Sequence, residues 1–161
     1  MSREHIAIAS DHAGFRLKEA VKGWLSDRAF LVLDLGTCSE ASCDYPDFAA
    51  ALAQALAVGE ARWGILVCGT GVGMSMAANK FPHIRAAACH DPTTARLSRA
   101  HNDANVLALG ARITGEAVAL DIVDAWLRTE FEGGRHAGRV AKIDRLLPLL
   151  IPSPRQEQGA L

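Results

Sequence analysis

The sequence predicts an α/β protein: a single Rossmann-like, three-layer domain with a five-stranded parallel sheet and helices on both faces. Short apolar runs recur along the chain with amphipathic stretches between them, and this alternation of strand and helix is typical of parallel sheets. The length of 161 residues corresponds to about one domain. No internal repeat indicates a second one.

Five short apolar runs predict the strands, because each is rich in residues that fill the interior of a parallel sheet. They occupy residues 6–9, 31–35, 65–67, 86–89 and 106–109. Apolar residues at helical spacing, together with turns and prolines at helix starts, predict the helices between them. These helices occupy residues 15–25, 45–58, 74–80, 92–100, 117–127 and 140–147, and Pro148 ends the last one.

The domain is expected to span residues 1–148. The remaining segment, 149–161, has two prolines among polar residues and predicts a mobile C-terminal tail. We expect the chemistry of the protein not to depend on this tail.

Composition argues against several classes of partner. The formal net charge of −1 does not favour nucleic acid or an anionic membrane. No secretory signal is present and no apolar run approaches the ~20 residues that span a bilayer, so we expect a cytoplasmic protein whose cysteines are thiols. Cys38 and Cys43 lack a second Cys/His pair at zinc-site spacing, which favours an ordinary loop over a metal site.

The third strand leads directly into Cys68 and then into glycine at three alternating positions, Gly69, Gly71 and Gly73. Glycines let backbone N–H groups approach a ligand closely, and the following helix would direct its positive end toward that ligand. This pattern predicts a site for a small anion with a thiol at its edge. The alternative is a tight turn with an inert buried cysteine.

Better-known glycine motifs do not match. A P-loop needs Gly-Lys-Ser/Thr, whereas the nearby Lys80 follows Asn79. The dinucleotide fingerprint would need a glycine at position 74, and a cysteine phosphatase of the C-x5-R type would need an arginine there. Met74 occupies that position and excludes both.

Ligands of parallel sheets bind at the carboxyl ends of the strands, and polar residues follow several of the predicted strands. Asp11 and His12 follow the first strand, and Arg112 follows the fifth. These residues are therefore candidates for the same site as Cys68. Asp11 also fits a second role as a cap for the helix that begins near Gly14.

Two further polar clusters stand out. His101 and Asn102 lie just before the fifth strand, and Arg135 and Arg139 are four residues apart, so a helix starting near Arg135 would direct both guanidinium groups one way. We expect both clusters near the same sheet edge as Cys68. The alternatives are a polar turn for the first and a solvated helix face for the second. Four histidines show no second feature that distinguishes them: His5, His83, His90 and His136.

Together these groups suit proton abstraction next to a carbonyl of a sugar phosphate. Cys68 would act as the base, and the N–H groups of the glycine loop would stabilise the enediolate. His101 would donate a proton to open the sugar ring, and Thr70 would hold a substrate hydroxyl. The reaction needs neither a metal nor a redox cofactor.

Several motifs in order resemble the sugar-phosphate isomerase family of ribose-5-phosphate isomerase B, which includes galactose-6-phosphate and allose-6-phosphate isomerases. The likeness extends to about Leu147. It is carried by Ser-Asp-His-Ala-Gly-Phe at 10–15, Asp-Tyr-Pro at 44–46, Cys-Gly-Thr-Gly-Val-Gly at 68–73, Ala-Ala-Asn-Lys at 77–80, Leu-Ser-Arg-Ala-His-Asn-Asp at 97–103 and Glu-Gly-Gly-Arg-His at 132–136.

The resemblance implies roles for individual residues. Cys68 would be the proton acceptor and His101 the ring-opening proton donor, with Asp11 and His12 in contact with the substrate. The expected catalytic residues are therefore Cys68, His101 and, from the argument above, Thr70. Some members lack the cysteine and use a glutamate in the glycine loop, at the place that Val72 occupies here. Implied substrate-binding residues are Asp11, His12, Gly69, Gly71, Val72, Gly73, Asn102, Arg112, Arg135 and Arg139, the arginines mainly for phosphate.

The resemblance also implies an intramolecular oxidoreductase that interconverts D-ribose 5-phosphate and D-ribulose 5-phosphate in the non-oxidative pentose phosphate pathway. Similar enzymes are homodimers with sites shared between subunits, some paired into tetramers, so an isolated monomer would be inactive. One alternative is an isomerase for another aldose phosphate, such as allose 6-phosphate, galactose 6-phosphate or a four-carbon analogue. Another is a non-catalytic sugar-phosphate or nucleotide-binding module, which would need neither Cys68 nor His101.

Overall fold

The structure, a computed structural model, describes residues 5–146 and confirms the predicted α/β class. The strands are all parallel and lie in the order β2-β1-β3-β5-β4. They are β1 (His5–Ser10), β2 (Leu31–Asp34), β3 (Trp63–Cys68), β4 (Ala86–Ala88) and β5 (Val106–Gly110). The helices are α1 (Phe15–Asp27), α2 (Tyr45–Ala57), α3 (Val72–Ala78), α4 (Pro92–Asn102), α5 (Glu116–Arg128) and α6 (Arg135–Asp144).

Two apolar cores cover the two faces of the sheet, as the alternation of side chains along a strand requires. In β1, Ile6 and Ile8 face a core formed with α1, α4 and α5, in which Trp126 is fully buried. Ala7 and Ala9 face the other core, formed with α2 and α3. The helix α6 packs outside this arrangement, against α4.

Most predicted elements agree with the structure to within a few residues at their ends, and the helix after the glycine loop begins at Val72 rather than Met74. The last helix differs more: α6 begins at Arg135, five residues before the start predicted at 140, and thereby includes both Arg135 and Arg139. The predictions for Pro148 and for the tail at 149–161 lie outside the described residues. No helix within residues 5–146 is long and apolar enough to cross a lipid bilayer.

A buried lysine fastens the loop that follows β2. The Nζ of Lys18 donates to both carboxylate oxygens of Asp34, at 2.6 and 2.7 Å, and its side chain is only 1% exposed. The same carboxylate accepts the N–H of Gly36 at 3.0 Å, while the N–H of Ser10 donates to the carbonyl of Gly36 at 2.7 Å. The start of this loop is thereby held beside the end of β1, where the first candidate site residues follow.

Candidate active site

The thiol of Cys68 lies at the end of β3 and is held by the glycine loop. Its Sγ accepts a hydrogen bond from the N–H of Gly71 at 3.1 Å, and the residue is only 5% exposed. This hydrogen bond holds the sulfur in place at the end of the strand, directly beside the loop. One amide that the sequence assigned to the enediolate therefore contacts the proposed base instead.

Gly71 has to be glycine in this loop. Its φ of +80° lies in the left-handed region, and a Cβ there would lie 3.1 Å from the carbonyl oxygen of Ala108 on the neighbouring strand. The turn then passes into α3, whose first N–H, that of Val72, donates to the Thr70 hydroxyl at 3.3 Å. The loop thus directs the Gly71 N–H at sulfur and leaves Thr70 exposed beside it.

Asp11 and His12 follow β1 next to this loop. The carboxylate of Asp11 accepts the N–H of Gly14 at 3.0 Å in the turn that precedes α1, and its own N–H donates to the carbonyl of Val67 at 3.2 Å. The N-cap of α1 is Gly14 and no side chain caps the helix, so the expected capping by Asp11 is wrong and its carboxylate closes the preceding turn instead. The Nδ1 of His12 lies 3.2 Å from both the N–H and the carbonyl of Cys43. The ring is therefore anchored through Nδ1, and Nε2 is left for a ligand.

Arg112 lies over the glycine loop. Its N–H donates to the carbonyl of Gly69 at 2.9 Å, and a Cβ added to Gly69 would lie 3.3 Å from Cδ and 3.5 Å from Nη1 of Arg112. The guanidinium therefore lies beside Gly69, a position suited to a substrate oxygen or phosphate. The ring of Tyr45 packs closely against Gly73: a Cβ added to Gly73 would lie only 2.9 Å from Cζ of Tyr45.

His101 and the α6 residues form a second cluster. The rings of His101 and His136 are stacked, with centroids 4.2 Å apart and an interplanar angle of 4°. The Oε2 of Glu132 lies 3.8 Å from the Nε2 of His101 and 3.7 Å from that of His136. Arg135 donates from Nε to the Nε2 of His136 at 3.4 Å, and Arg139 lies one helical turn further along α6.

The two clusters lie at opposite edges of the sheet, so the expectation that they share one edge is wrong for a single chain. Cys68 pairs with Gly110 at the carboxyl end of β5, whereas α4 ends at Asn102, just before β5 begins at Val106. The strand between these ends is about 13 Å long at a rise of ~3.3 Å per residue. Within one chain, therefore, Cys68 cannot reach C2 of a sugar whose ring oxygen is in contact with His101.

Two residues have roles that the sequence patterns do not indicate. His136 by itself has no distinguishing feature in the sequence, but it is buried and packs on His101. Only its position directly after Arg135, on the helix expected to bind phosphate, indicates a place near the site. Tyr45 belongs to the Asp-Tyr-Pro motif but received no role, because only the fold shows that it covers the start of α3.

Three ligand atoms of His101, Glu132 and His136 lie within 4.8 Å of one another, close enough to consider a metal ion. The stacked rings make this a poor zinc site. Imidazole binds zinc through a lone pair in the plane of the ring, and a single ion cannot lie in the planes of two rings that are stacked parallel with centroids 4.2 Å apart. As it stands, the arrangement suits proton sharing rather than metal binding.

Comparison with known proteins identifies the family. The model of the Ribose/Galactose Isomerase family matches residues 6–143, which include both clusters. This chain belongs to that family.

Similar members of the isomerase family include an enzyme and two solved structures. The Escherichia coli protein named ribose-5-phosphate isomerase B is 53% identical over 138 residues, which are 86% of this chain and 93% of that protein. The Clostridium thermocellum ribose-5-phosphate isomerase B structure has a TM-score of 0.89 at 52% identity, covering 90% of this chain and 98% of that one. A Mycoplasma genitalium ribose-5-phosphate isomerase B structure with bound ribulose-5-phosphate has a TM-score of 0.86 at 44% identity, covering 92% and 98%.

Replacing Gly71 by alanine in this isomerase should destabilise the fold and lower turnover. A left-handed φ costs a residue with a Cβ about 1–2 kcal/mol, and the close Ala108 carbonyl adds to it. Loop movement would also withdraw the N–H from Cys68. Urea unfolding and steady-state kinetics measure the two effects.

Gly59→Ala is the matched control. Gly59 also has a positive φ, +77°, but a Cβ there would meet nothing within 4 Å. It should lose stability through the backbone alone and retain full turnover. Equal turnover in the two variants would show that the Gly71 N–H does not assist the thiol.

Proposed function

We propose that this protein interconverts D-ribose 5-phosphate and D-ribulose 5-phosphate, with Cys68 as the base, in sites built from two copies of the chain. The observation that carries the proposal is the Cys68 thiol, held by the Gly71 N–H in the glycine loop of a chain that belongs to an isomerase family. The high identity to relatives named ribose-5-phosphate isomerase B supports the choice of substrate.

The reaction moves hydrogen within the sugar and needs no outside oxidant. Cys68 thiolate removes the proton from C2 of the open aldose, and the electron pair forms the C1–C2 double bond while charge develops on O1. The thiol then returns a proton to C1, and a proton passes between the two oxygens. Thr70, exposed beside the thiol, is suited to hold those oxygens.

Ring opening precedes this step, because ribose 5-phosphate is mainly a furanose. We assign the proton donor to His101, because imidazole is the side chain that most often serves as a general acid or base. The donor protonates the ring oxygen as the C1 hydroxyl loses its proton. Since His101 and Cys68 lie at opposite edges of one chain, the donor at each thiol would be the partner subunit's His101.

The same argument assigns the phosphate contacts. Arg135 and Arg139 lie on α6 beside His101, so they would reach the substrate from the partner subunit and grip the phosphate far from C1 and C2. Asp11, His12 and Arg112 would bind from the same subunit as Cys68.

Exposed apolar side chains beside the thiol support a subunit contact there. Val72 and Met76 lie one turn apart on α3 and are 42% and 65% exposed, and Tyr45 beside them is 39% exposed. A patch of this kind at the mouth of a half-formed site is a typical dimer surface. A cytoplasmic location agrees with a phosphorylated substrate and with four free cysteine thiols.

The decisive assay measures turnover of ribose 5-phosphate with and without a chelator, alongside allose 6-phosphate and galactose 6-phosphate. We expect ribose 5-phosphate to be the best substrate and the chelator to have no effect. Negligible turnover of ribose 5-phosphate beside rapid turnover of a six-carbon phosphate would overturn the choice of substrate. Binding of all three without turnover would leave only a sugar-phosphate binding module.

Subunit complementation tests the shared site. Cys68→Ala and His101→Phe homodimers should each be inactive, but a heterodimer of the two keeps one site with both groups intact. A one-to-one mixture, unfolded and refolded together, should therefore recover about a quarter of the wild-type activity, because half of the dimers are mixed and each has one working site of two. Sedimentation verifies the dimers.

A site contained within one chain predicts the opposite result. Every chain in the mixture would then lack one essential group, and no activity would return. Wild-type turnover by a species that sediments as a monomer would contradict the shared site in the same way.

A further inference from the structure

His136 is the least exposed side chain of the cluster around His101. It is 6% exposed, and its ring is stacked on that of His101, with centroids 4.2 Å apart and an interplanar angle of 4°. Such contact restricts rotation of the His101 ring, which α4 holds only through its last turn. The buried imidazole therefore defines the plane in which the proposed proton donor lies.

The second contact of His136 is with Arg135, one of the two arginines proposed to bind the phosphate. The Nε of Arg135 donates to the Nε2 of His136 at 3.4 Å, so that nitrogen is the acceptor and the ring proton lies on Nδ1. Burial, together with the neighbouring His101 and Arg135, lowers the pKa of His136 from its usual value. The ring is therefore neutral near pH 7 and retains the lone pair that Arg135 needs.

Glu132 completes the arrangement. Its N–H donates to the carbonyl of Ala100 at 3.0 Å, which ties the loop before α6 to the last turn of α4. Its carboxylate lies 3.8 Å from the Nε2 of His101 and 3.7 Å from that of His136. The Nε2 of His136 accepts a hydrogen bond from Arg135 and has no proton to offer the carboxylate. The Glu132 carboxylate is therefore paired with the Nε2 of His101.

We propose that His136 is a positioning residue that couples phosphate binding by Arg135 to ring opening by His101. One face of its ring fixes the plane of the donor imidazole, and its Nε2 fixes the guanidinium that grips the phosphate. A phosphate that orders Arg135 thereby orders His101 as well. This inference rests on the proposed function, since it assigns a device within that site.

Two substitutions separate the two contacts. His136→Phe keeps a ring to stack on His101 but has no acceptor for Arg135. His136→Gln keeps an acceptor near the position of Nε2 but has no ring. We expect His136→Phe to raise KM for ribose 5-phosphate and to weaken binding of inorganic phosphate, and His136→Gln to lower kcat by about 10- to 100-fold with a smaller change in KM.

A second readout distinguishes ring opening from proton transfer at carbon. Ribulose 5-phosphate has no ring to open, because its C5 oxygen is esterified, so exchange of its C1 hydrogen with solvent deuterium requires the base but not the ring-opening acid. His136→Gln should retain this exchange, measured by NMR, while it loses turnover of ribose 5-phosphate. His83→Gln is the control, since His83 is a part-buried histidine outside the proposed site, whose Nε2 lies 2.8 Å from the carbonyl of Ala53 and whose ring packs edge-on against Phe81, and it should behave like wild type.

Three results would overturn the inference: unchanged kinetics in both variants, an equal loss of exchange and turnover, or the same pattern of KM and kcat in both. Failure of the proposed function is a separate outcome. It would appear in the wild-type protein, as absence of both ribose 5-phosphate turnover and deuterium exchange, before any variant is compared.

Discussion

Replacing Cys68 by alanine is expected to lower turnover of ribose 5-phosphate by about 10²–10⁴-fold, the contribution of a general base in the transition state. The glycine loop itself, residues 68–73, contains no Asp or Glu that could replace the thiol as the base. The variant should still bind inorganic phosphate normally, because the proposed phosphate contacts come from Arg135 and Arg139. Steady-state kinetics and calorimetric titration of phosphate measure the two quantities.

Cys89→Ala is the matched control for this loss. Cys89 is also a fully buried thiol, at the end of β4, but burial raises its pKa to about 11, so it stays protonated near neutral pH. Its removal should leave turnover close to wild type. Near-normal isomerisation by Cys68→Ala would show that another group is the base.

Replacing His101 by phenylalanine is expected to remove turnover of ribose 5-phosphate to a similar extent while leaving deuterium exchange into ribulose 5-phosphate. Phenylalanine can still stack on His136, so the cluster keeps its packing and loses only the proton. The aldose then has to open without an acid, whereas the ketose is already open. NMR detects the exchange and a coupled assay measures the turnover.

The comparison between the two substrates makes this prediction specific. If exchange into ribulose 5-phosphate falls as far as aldose turnover, His101 acts in the proton transfer at carbon or only in packing. A fall in phosphate affinity of the same size would instead place His101 among the phosphate ligands.

Short-range sequence patterns predicted most of the fold and part of the site. The apolar runs in β1, β3 and β5 mark buried parallel strands, because each fills both faces of the sheet and has almost no polar position. The spacing of Cys68 and the glycines marks a strand-to-helix turn, and the spacing of Arg135 and Arg139 marks one face of α6. These inferences needed only a few neighbouring residues.

The sequence contained the position of His101, but the expectation of a shared edge overlooked it. A residue just before the fifth strand of a parallel sheet lies at the amino end of that strand, opposite Cys68, although its motif does not say which copy of the chain it serves. The role of His136 could not be inferred from the sequence. Stacking on His101 joins residues 35 positions apart through the packing of α6 on α4, and no periodicity within α6 reports it.

The sequence alone thus determined the α/β class, the thiol in its glycine loop and the family resemblance, because each depends on residues close together in the chain. Cys68 and Gly71 are three apart, and their hydrogen bond follows from the turn itself. Only the tertiary structure decided which residues meet across distance: His136 with His101, Arg112 over Gly69, and Tyr45 over Gly73. The separation of the thiol and the imidazole depends on both the sequence and the tertiary structure: chain order in a parallel sheet puts Cys68 after one strand and His101 before another, and the length of β5 sets the distance between them.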